Sequence, residues 1–227
     1  MPYTVLATDY DGTLAAHGVV ADPTWAAIER LKGSGRKVVL VTGRELEDLA
    51  EVCPRLDLFD RAVLENGALL YRPGDRHLRA LAARPPDAFI VALQARGVAP
   101  ISVGRAIVAA WEPHLGAIEA AIRDLGLDLR VIPNKRALMI LPPGVDKASG
   151  LREALGELGL QPRDAVGVGD AENDEPLLGA CGLAVAVANA QDGLKGRADL
   201  VTRGERGEGV VELIGRMLDG TLPPPER

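Results

Sequence analysis

The chain has 227 residues, of which 47% are hydrophobic, so it is long and apolar enough for one globular domain or one domain with an insert. A formal net charge of −6 and the lack of a Lys/Arg cluster argue against nucleic acid as a partner. The sequence carries no apolar run of transmembrane length and no signal-peptide pattern, so we expect a cytoplasmic protein with no membrane partner.

The first predicted element is a buried strand at residues 3–7, which leads directly into Asp9 and Asp11. Gly12 permits a bend after the strand, so the two carboxylates can stay close without facing the same way. Such a pair is strained unless a cation or a shared proton intervenes, and Mg²⁺ suits oxygen ligands. An Asp-rich surface turn is the alternative. A calcium loop is excluded, because an EF-hand needs Glu at its twelfth position, where Val20 stands.

A helix and a second strand come next in the chain. Asp22 resembles an N-cap with Pro23 at the first helical position, and the apolar pattern ends at Gly33 or Gly35. Residues 38–41 form a continuous apolar run, which is typical of a strand in a sheet covered on both faces.

A possible anion site follows the second strand. The hydroxyl of Thr42, the flexible Gly43 and the free N–H groups at the start of a helix over residues 45–52 could bind phosphate oxygens. A plain threonine N-cap explains the same pattern equally well, and Arg44 fits a surface residue.

The order of predicted helices and strands changes in the middle of the chain, which predicts an inserted domain. Residues 62–64 and 69–71 form a hairpin around Asn66 and Gly67. We expect a helix at 86–96, a strand at 106–110, a helix at 114–125 and strands at 129–132 and 137–141. These α and β elements predict a cap domain at residues 81–143, inserted between the two parts of the core, residues 1–80 and 144–227.

Lys147 opens the next predicted helix, which runs to Leu158 with Asp146 as its N-cap. The helix dipole favours anions at that end, so a lysine there suggests a bound anion. A solvated lysine is the structural alternative.

A further buried strand, residues 165–169, ends at Asp170. The glycines of this strand resemble the start of a dinucleotide fingerprint, but Glu172 stands where the third glycine belongs. Asp170 fits a metal ligand, with Asn173 and Asp174 one helical turn further on to orient it. A strand at 183–187 then leads to Asn189, and a strand at 199–202 and a helix at 210–218 complete the fold.

The candidates Asp9, Asp11, Thr42, Asp170 and Asn189 all follow predicted parallel strands, and open α/β sheets bind ligands at that edge. The four segments that carry the pattern are residues 9–13 (DYDGT), 42–44 (TGR), Lys147 and residues 169–174 (GDAEND). In this order they resemble the four motifs of the haloacid dehalogenase (HAD) superfamily of phosphohydrolases. The insert and the form of the last motif are similar to the Cof-type (IIB) subgroup with a C2 cap, which includes sugar-phosphate and phosphoglycolate phosphatases.

The resemblance implies an α/β protein with a Rossmann-like parallel-sheet core, an α+β cap and a small phosphorylated metabolite as substrate. Asp9 would be the nucleophile that becomes an aspartyl-phosphate, and Asp11 the general acid and base. Magnesium would be held by Asp9, the backbone carbonyl of Asp11 and Asp170, with Asn173 and Asp174 behind them. Phosphate-binding residues would be Thr42, Gly43, Lys147 and Asn189.

Three other functions share parts of this pattern. A phosphosugar mutase would form the same intermediate, and a phospho-receiver-like regulatory module would bind magnesium on the same kind of sheet. A dehalogenase is disfavoured because halide leaves without the acid that Asp11 would supply.

The cap is expected to select the substrate. The candidate residues are Arg84, Arg105, Trp111 and above all Asn134, Lys135 and Arg136, although a solvated charged turn explains these residues equally. A monomer and a homodimer both remain open.

Overall fold

The computed structural model describes residues 3–134 and 136–224, with Asn134 described by its backbone alone. Strands within this part of the chain fall into two sheets. They are β1 (Val5–Thr8), β2 (Lys37–Val41), β3 (Arg61–Leu64), β4 (Leu69–Arg72), β5 (His77–Ala80), β6 (Ser102–Val103), β7 (Val108–Trp111), β8 (Arg130–Asn134), β9 (Ala137–Leu141), β10 (Ala165–Gly169), β11 (Leu183–Ala186) and β12 (Leu200–Val201).

The α-helices of the described residues connect these strands. They are α1 (Asp22–Gly33), α2 (Leu46–Val52), α3 (Asp87–Ala95), α4 (Leu115–Asp124), α5 (Lys147–Leu158), α6 (Glu175–Ala180), α7 (Asp192–Lys195) and α8 (Arg206–Asp219). Among them, none combines the length and the apolar character needed to cross a membrane.

The larger sheet has the strand order β12–β11–β10–β1–β2–β3–β4–β5. Its strands from β12 to β3 are parallel, and β1 lies between β10 and β2. Every residue of β1, β10 and β11 is buried, which explains why these strands read as continuous apolar runs. The prediction of an α/β fold with a parallel-sheet core is confirmed.

An antiparallel edge follows β3. The predicted hairpin is present, with Leu64 paired to Leu69 and a tight turn at residues Glu65–Gly67, all three of which have positive φ. Strand β5, whose residues pair with β4 at the edge of the sheet, was not predicted. His77 and Ala80 are exposed in this strand, so it lacks the apolar run by which the central strands were recognised.

The second sheet has the order β6–β7–β9–β8 and is antiparallel throughout. With α3 and α4 it encloses an apolar cluster of its own, which includes Phe89, Leu93, Val108, Ile118 and Ile140. All these elements lie between residues 87 and 141. The division at 80/81 and 143/144 stays a prediction.

The start of α1 differs from the prediction. The N-cap is Ala21, with an extended backbone and no side-chain hydrogen bond, and Asp22 is already the first helical residue. Pro23 therefore occupies the second helical position, where the missing N–H of proline is still harmless. The carboxylate of Asp22 lies in the first turn instead, where it interacts favourably with the positive end of the helix dipole.

Candidate active site

Three neighbouring strands end in polar side chains. Asp9 follows β1, Thr42 follows β2 and Asp170 follows β10, and β1 lies between the other two strands. Because the strands are parallel, these side chains meet at one edge of the sheet. Asp9, Thr42 and Asp170 are at most 5% exposed, so the alternative of an exposed acidic turn is wrong for Asp9.

Lys147 reaches this edge from the first turn of α5. Its Nζ donates to Oδ1 of Asp9 at 2.6 Å and to Oδ1 of Asp174 at 2.6 Å. The lysine is 1% exposed, so the alternative of a solvated side chain is wrong. Asp146 is the predicted N-cap, since its carboxylate accepts the N–H of Ser149 and the Ser149 hydroxyl completes a capping box. This cap fixes where α5 begins and therefore where Lys147 points.

The electrostatics of the site are those of crowded, buried charges. Burial raises the pKa of Asp9 to about 7; attraction by Lys147 opposes this shift, and repulsion from Asp174 and Asp170 adds to it. Burial alone would lower the pKa of Lys147, but attraction by Asp174 and Asp9 outweighs it, so this pKa lies above its ordinary value. Lys147 is therefore held in its charged form beside Asp9.

Asp174 orients the loop that carries Asp170. Its Oδ2 accepts the backbone N–H groups of Asp170 at 2.9 Å and Ala171 at 3.0 Å. A Cβ on Gly169 would lie 2.5 Å from the Cβ of Asp174, so glycine is required at that position. Both carboxylate oxygens of Asp174 are thus engaged, one by Lys147 and one by the backbone.

Gly12 is equally constrained, in the acidic loop after β1. Its φ of +92° lies in the region that favours glycine, and a Cβ there would be 2.3 Å from Oδ2 of Asp170. The predicted phosphate ligand Asn189 holds this loop, because its Nδ2 donates to the Gly12 carbonyl at 2.8 Å and its Oδ1 accepts the N–H of Arg206 at 2.7 Å. A direct contact between Asn189 and phosphate stays a prediction.

The donor set of Asp9, Asp170 and Asp174 suits a hard cation. One carboxylate oxygen of each residue lies within 4.8 Å of the other two, although both oxygens of Asp174 already accept hydrogen bonds. All three residues are buried, and Lys147 brings one positive charge to three carboxylates, so a further cation would reduce the repulsion that remains. Oxygen ligands at this spacing fit a divalent cation, and the identity of that cation as Mg²⁺ stays a prediction.

The carboxylate of Asp11 is paired with Arg44. The guanidinium donates from Nε to Oδ2 at 2.6 Å and from Nη2 to Oδ1 at 2.8 Å. Arg44 also lies over the ring of Tyr10, with Cζ 5.7 Å from the ring centroid. Arg44 is thus partly exposed, as a surface residue would be, but it also pairs with the predicted general acid.

The loop after β2 is stabilised by the turn after β3. The backbone N–H of Asn66 donates to the Thr42 carbonyl at 3.0 Å, and the Asn66 side chain packs against Gly43. Oδ1 of Asn66 accepts Nδ2 of Asn173 at 3.1 Å. The N-cap of α2 is Glu45, so the alternative of Thr42 as a plain N-cap is wrong.

A cleft of about 300 Å³ opens above these residues. Its core side includes Asp9, Asp11, Thr42, Gly43 and Asp170. The opposite side comes from the second sheet and the connection between β6 and β7, and its lining residues are Ser102, Ile107, Ala109, Trp111 and Met139. A polar floor thus faces a largely apolar roof.

The residues predicted to select the substrate are placed unevenly. Trp111 lines the cleft. Arg136 is exposed and lies between β8 and β9, where its carbonyl accepts the N–H of Glu112 at 3.1 Å. Arg84 and Arg105 form exposed ion pairs with Asp87 and Glu47. Lys135 lies outside the described residues, as does the side chain of Asn134. Contacts of Asn134, Lys135 and Arg136 with a substrate stay predictions.

Sequence reasoning missed the apolar roof and Glu65. Ile107, Ala109 and Met139 look like ordinary strand residues, and no local signal separates those that face a cleft from those that face a core. Glu65 did carry a signal, because like Asp9 and Asp170 it is an acid at the end of a parallel strand. The neighbouring Asn66-Gly67 pair is typical of a hairpin turn and explains the same position without a functional role for Glu65.

Comparison with known proteins agrees with this geometry. The family model for haloacid dehalogenase-like hydrolases matches residues 6–89 and 112–214. A phosphoglycolate phosphatase of Methanoculleus marisnigri is 30% identical over 92% of this chain and 94% of its own length. One of Aeropyrum pernix is 30% identical over 97% of this chain and 95% of its own length.

Solved structures share the fold. A HAD subclass IIB sugar phosphatase aligns with a TM-score of 0.78 at 18% identity, over 96% of this chain and 100% of its own. The predictions of the family, and of an enzyme of the phosphatase type, are confirmed. The chain belongs to the haloacid dehalogenase-like hydrolases.

Proposed function

We propose that the protein is a magnesium-dependent phosphatase that hydrolyses a small phosphate monoester through an aspartyl-phosphate at Asp9. The observation that carries this proposal is the contact of 2.6 Å between Nζ of the buried Lys147 and Oδ1 of Asp9, which lines the cleft. A cationic amine beside a buried carboxylate gives a nucleophile and a binding site for phosphoryl oxygens in one place.

In the first step, a carboxylate oxygen of Asp9 attacks phosphorus and the bond from phosphorus to the leaving oxygen breaks. Lys147 and the hydroxyl of Thr42 bind phosphoryl oxygens and stabilise the charge that develops on them. Asp174 keeps Lys147 charged and directed towards Asp9. When bound by Asp9, Asp170 and the carbonyl of Asp11, Mg²⁺ would neutralise the phosphate and align it for in-line attack.

Asp11 supplies the proton in the same step. Its protonated carboxyl gives the proton to the leaving alkoxide, and the resulting carboxylate then takes a proton from the water that attacks the aspartyl-phosphate. The proton balance closes, because hydrolysis regenerates both Asp9 and Asp11. Arg44 is placed to hold Asp11 in position between the two steps.

The substrate class follows from the relatives and from the cleft. Relatives about as long as this chain are phosphoglycolate phosphatases, and a structural neighbour is a sugar phosphatase. A cleft of about 300 Å³ accommodates a phosphoryl group with a short leaving group. We assign residues 81–143 as the cap and propose phosphoglycolate or a small sugar phosphate as the substrate.

The test is phosphate release from phosphoglycolate, sugar phosphates and an aryl phosphate, with MgCl₂ or with EDTA. We expect Asp9→Asn to abolish turnover of every active substrate and Asp11→Asn to lower it strongly, with folding unchanged by circular dichroism. Asp192→Asn, a change on the exposed helix α7, is the control and keeps full activity. Normal turnover by Asp9→Asn rejects the assigned nucleophile.

A further inference from the structure

Glu65 is a buried carboxylate that the mechanism does not use. It follows β3 in the main sheet and is 0% exposed. Its carboxylate accepts the backbone N–H of Arg105 at 3.0 Å, of Ala106 at 2.7 Å and of Ile107 at 2.9 Å. These three residues belong to the connection between β6 and β7 in the second sheet. A side chain of the core is thus enclosed by backbone of the insert.

The surroundings of Glu65 are shaped for a carboxylate. Three consecutive N–H groups that converge on one point form a concave anion site. A Cβ on Gly104 would lie 2.8 Å from Oε2 of Glu65, so glycine is required for the carboxylate to enter. Glu65 itself adopts φ = +50°, a conformation that non-glycine residues hold only where the surrounding contacts impose it.

The backbone of Glu65 faces the catalytic loop. Its N–H donates to the Arg44 carbonyl at 3.1 Å, and the next N–H, that of Asn66, donates to the Thr42 carbonyl at 3.0 Å. On the far side, Ile107 lines the cleft and packs into the main hydrophobic core rather than into the core of the second sheet. One residue therefore connects the loop expected to bind phosphate with the roof of the cleft.

Other contacts hold the same segment more weakly. Arg105 pairs with Glu47 at 2.6 Å, but the two side chains are 56% and 60% exposed, and ion pairs in water contribute little. Ser102 donates to Glu45 at 2.7 Å. Glu65 accepts three hydrogen bonds on one fully buried carboxylate, which outweigh one exposed ion pair and one part-buried hydrogen bond, so Glu65 dominates this junction.

We propose that Glu65 is a positioning residue, which fixes the segment 104–107 of the insert above the catalytic loop and thereby sets the roof that the leaving group meets. That Glu65 fixes the position of segment 104–107 does not depend on the reaction. The consequence for substrate binding rests on the proposed phosphatase function: a displaced roof weakens contacts to the leaving group while the floor, with Asp9 and Lys147, is unchanged.

Amide hydrogen exchange of the full chain tests whether Glu65 fixes segment 104–107. In Glu65→Gln only one side-chain oxygen remains, so the NH₂ group faces either the N–H of Arg105 or the N–H groups of Ala106 and Ile107. We therefore expect amide exchange within residues 105–107 to be at least about tenfold faster. Amides of the main sheet, such as those of Leu6 and Val168, should keep their protection, which also verifies folding. Glu47→Gln, which alters the exposed contact to the same segment, should leave all these rates unchanged.

A second variant keeps the proposal falsifiable should Glu65→Gln fail to fold. Gly104→Ala leaves Glu65 intact but places a methyl group in the space of its carboxylate, so the same three amides should lose protection. Unchanged protection of residues 105–107 in a folded variant of either kind overturns the proposal.

Kinetics separate positioning from a merely structural role. With phosphoglycolate, Glu65→Gln should raise KM about tenfold and keep kcat within about threefold, because the reacting groups do not contact Glu65. A structural role alone would reduce the active fraction, and so kcat, at constant KM, and that result contradicts the proposal. If the wild type releases no phosphate from any substrate, the proposed function fails, and exchange alone decides the role of Glu65.

Discussion

Arg44 and Asp11 form a two-point ion pair, with distances of 2.6 and 2.8 Å, across the entrance of the cleft. Both groups are partly exposed, at 28% and 41% of their side-chain surface, so the pair contributes geometry more than stability. A bidentate guanidinium fixes the plane of the Asp11 carboxylate, the form that takes a proton from the attacking water. To carry a proton as general acid, Asp11 gives up one of these two hydrogen bonds and keeps the other.

Replacement of Arg44 should therefore affect poor leaving groups most. We expect Arg44→Gln to lower kcat/KM for an alkyl phosphate about tenfold and for a nitrophenyl phosphate much less, because nitrophenolate leaves without a proton. Steady-state kinetics with the two substrates give the ratio. Arg55→Gln, which alters an exposed pair with Glu29, is the matched control. Equal losses for both substrates would show that Arg44 does not act through Asp11.

Removal of the Lys147 amine should damage stability as well as activity. In Lys147→Met, Asp9 and Asp174 remain buried without their shared cation, and loss of one partner of a buried pair costs about 3–5 kcal/mol. Loss of a donor to the developing phosphoryl charge should lower kcat by about a hundredfold or more. Urea unfolding and phosphate release measure the two effects.

A double-mutant cycle provides the control for that prediction. In the double variant Lys147→Met/Asp174→Asn, only Asp9 remains as a buried carboxylate that has lost its lysine partner. The loss of unfolding free energy should therefore be smaller than the sum of the losses in the two single variants. Strict additivity would mean that the contact of 2.6 Å between Lys147 and Asp174 carries no coupling in solution.

Magnesium should stabilise the protein in a pH-dependent way. The pKa of Asp9 is raised by burial from 3.8 to about 7, so without metal its contribution to stability is complete below pH 3.8 and is lost as the pH rises through 7. A cation competes with this proton. We therefore expect saturating MgCl₂ to raise the free energy of unfolding by about 2–3 kcal/mol near pH 8 and much less near pH 5.

Thermal unfolding with MgCl₂ or EDTA at the two pH values checks this expectation. Asp170→Asn should remove most of the gain, because it takes away a carboxylate of the three-oxygen group. The same gain at both pH values would show that the metal does not compete with a proton at Asp9.

The sequence predicted the site where local pattern and sheet topology coincide. Asp9 and Asp170 follow apolar runs of strand length. Neighbouring parallel strands bring their carboxyl ends to one edge of the sheet, independently of the conformation of the loops. Lys147 was recognisable because a lysine opposes the dipole at the start of a helix, and the structure places two carboxylates beside it.

The parts that escaped prediction depend on tertiary contacts. Arg44 pairs with Asp11 across 33 residues, and nothing in the local sequence separates that arrangement from a solvated arginine. The short strands β5 and β6 are only partly buried and lie at sheet edges, so their stability comes from pairing rather than from an apolar pattern. Glu65 similarly acquires its role from backbone that lies 40 or more residues away.

Chemical trapping of the intermediate tests the central claim most directly. The enzyme is mixed with its best substrate and MgCl₂, quenched within one turnover and reduced with borohydride, which converts an aspartyl-phosphate to homoserine. Peptide mass spectrometry then locates the change. We predict homoserine at Asp9, present with substrate and absent without it. Substrate turnover with Asp9 unmodified, or with the label at Asp11 or Asp170 instead, would contradict the account.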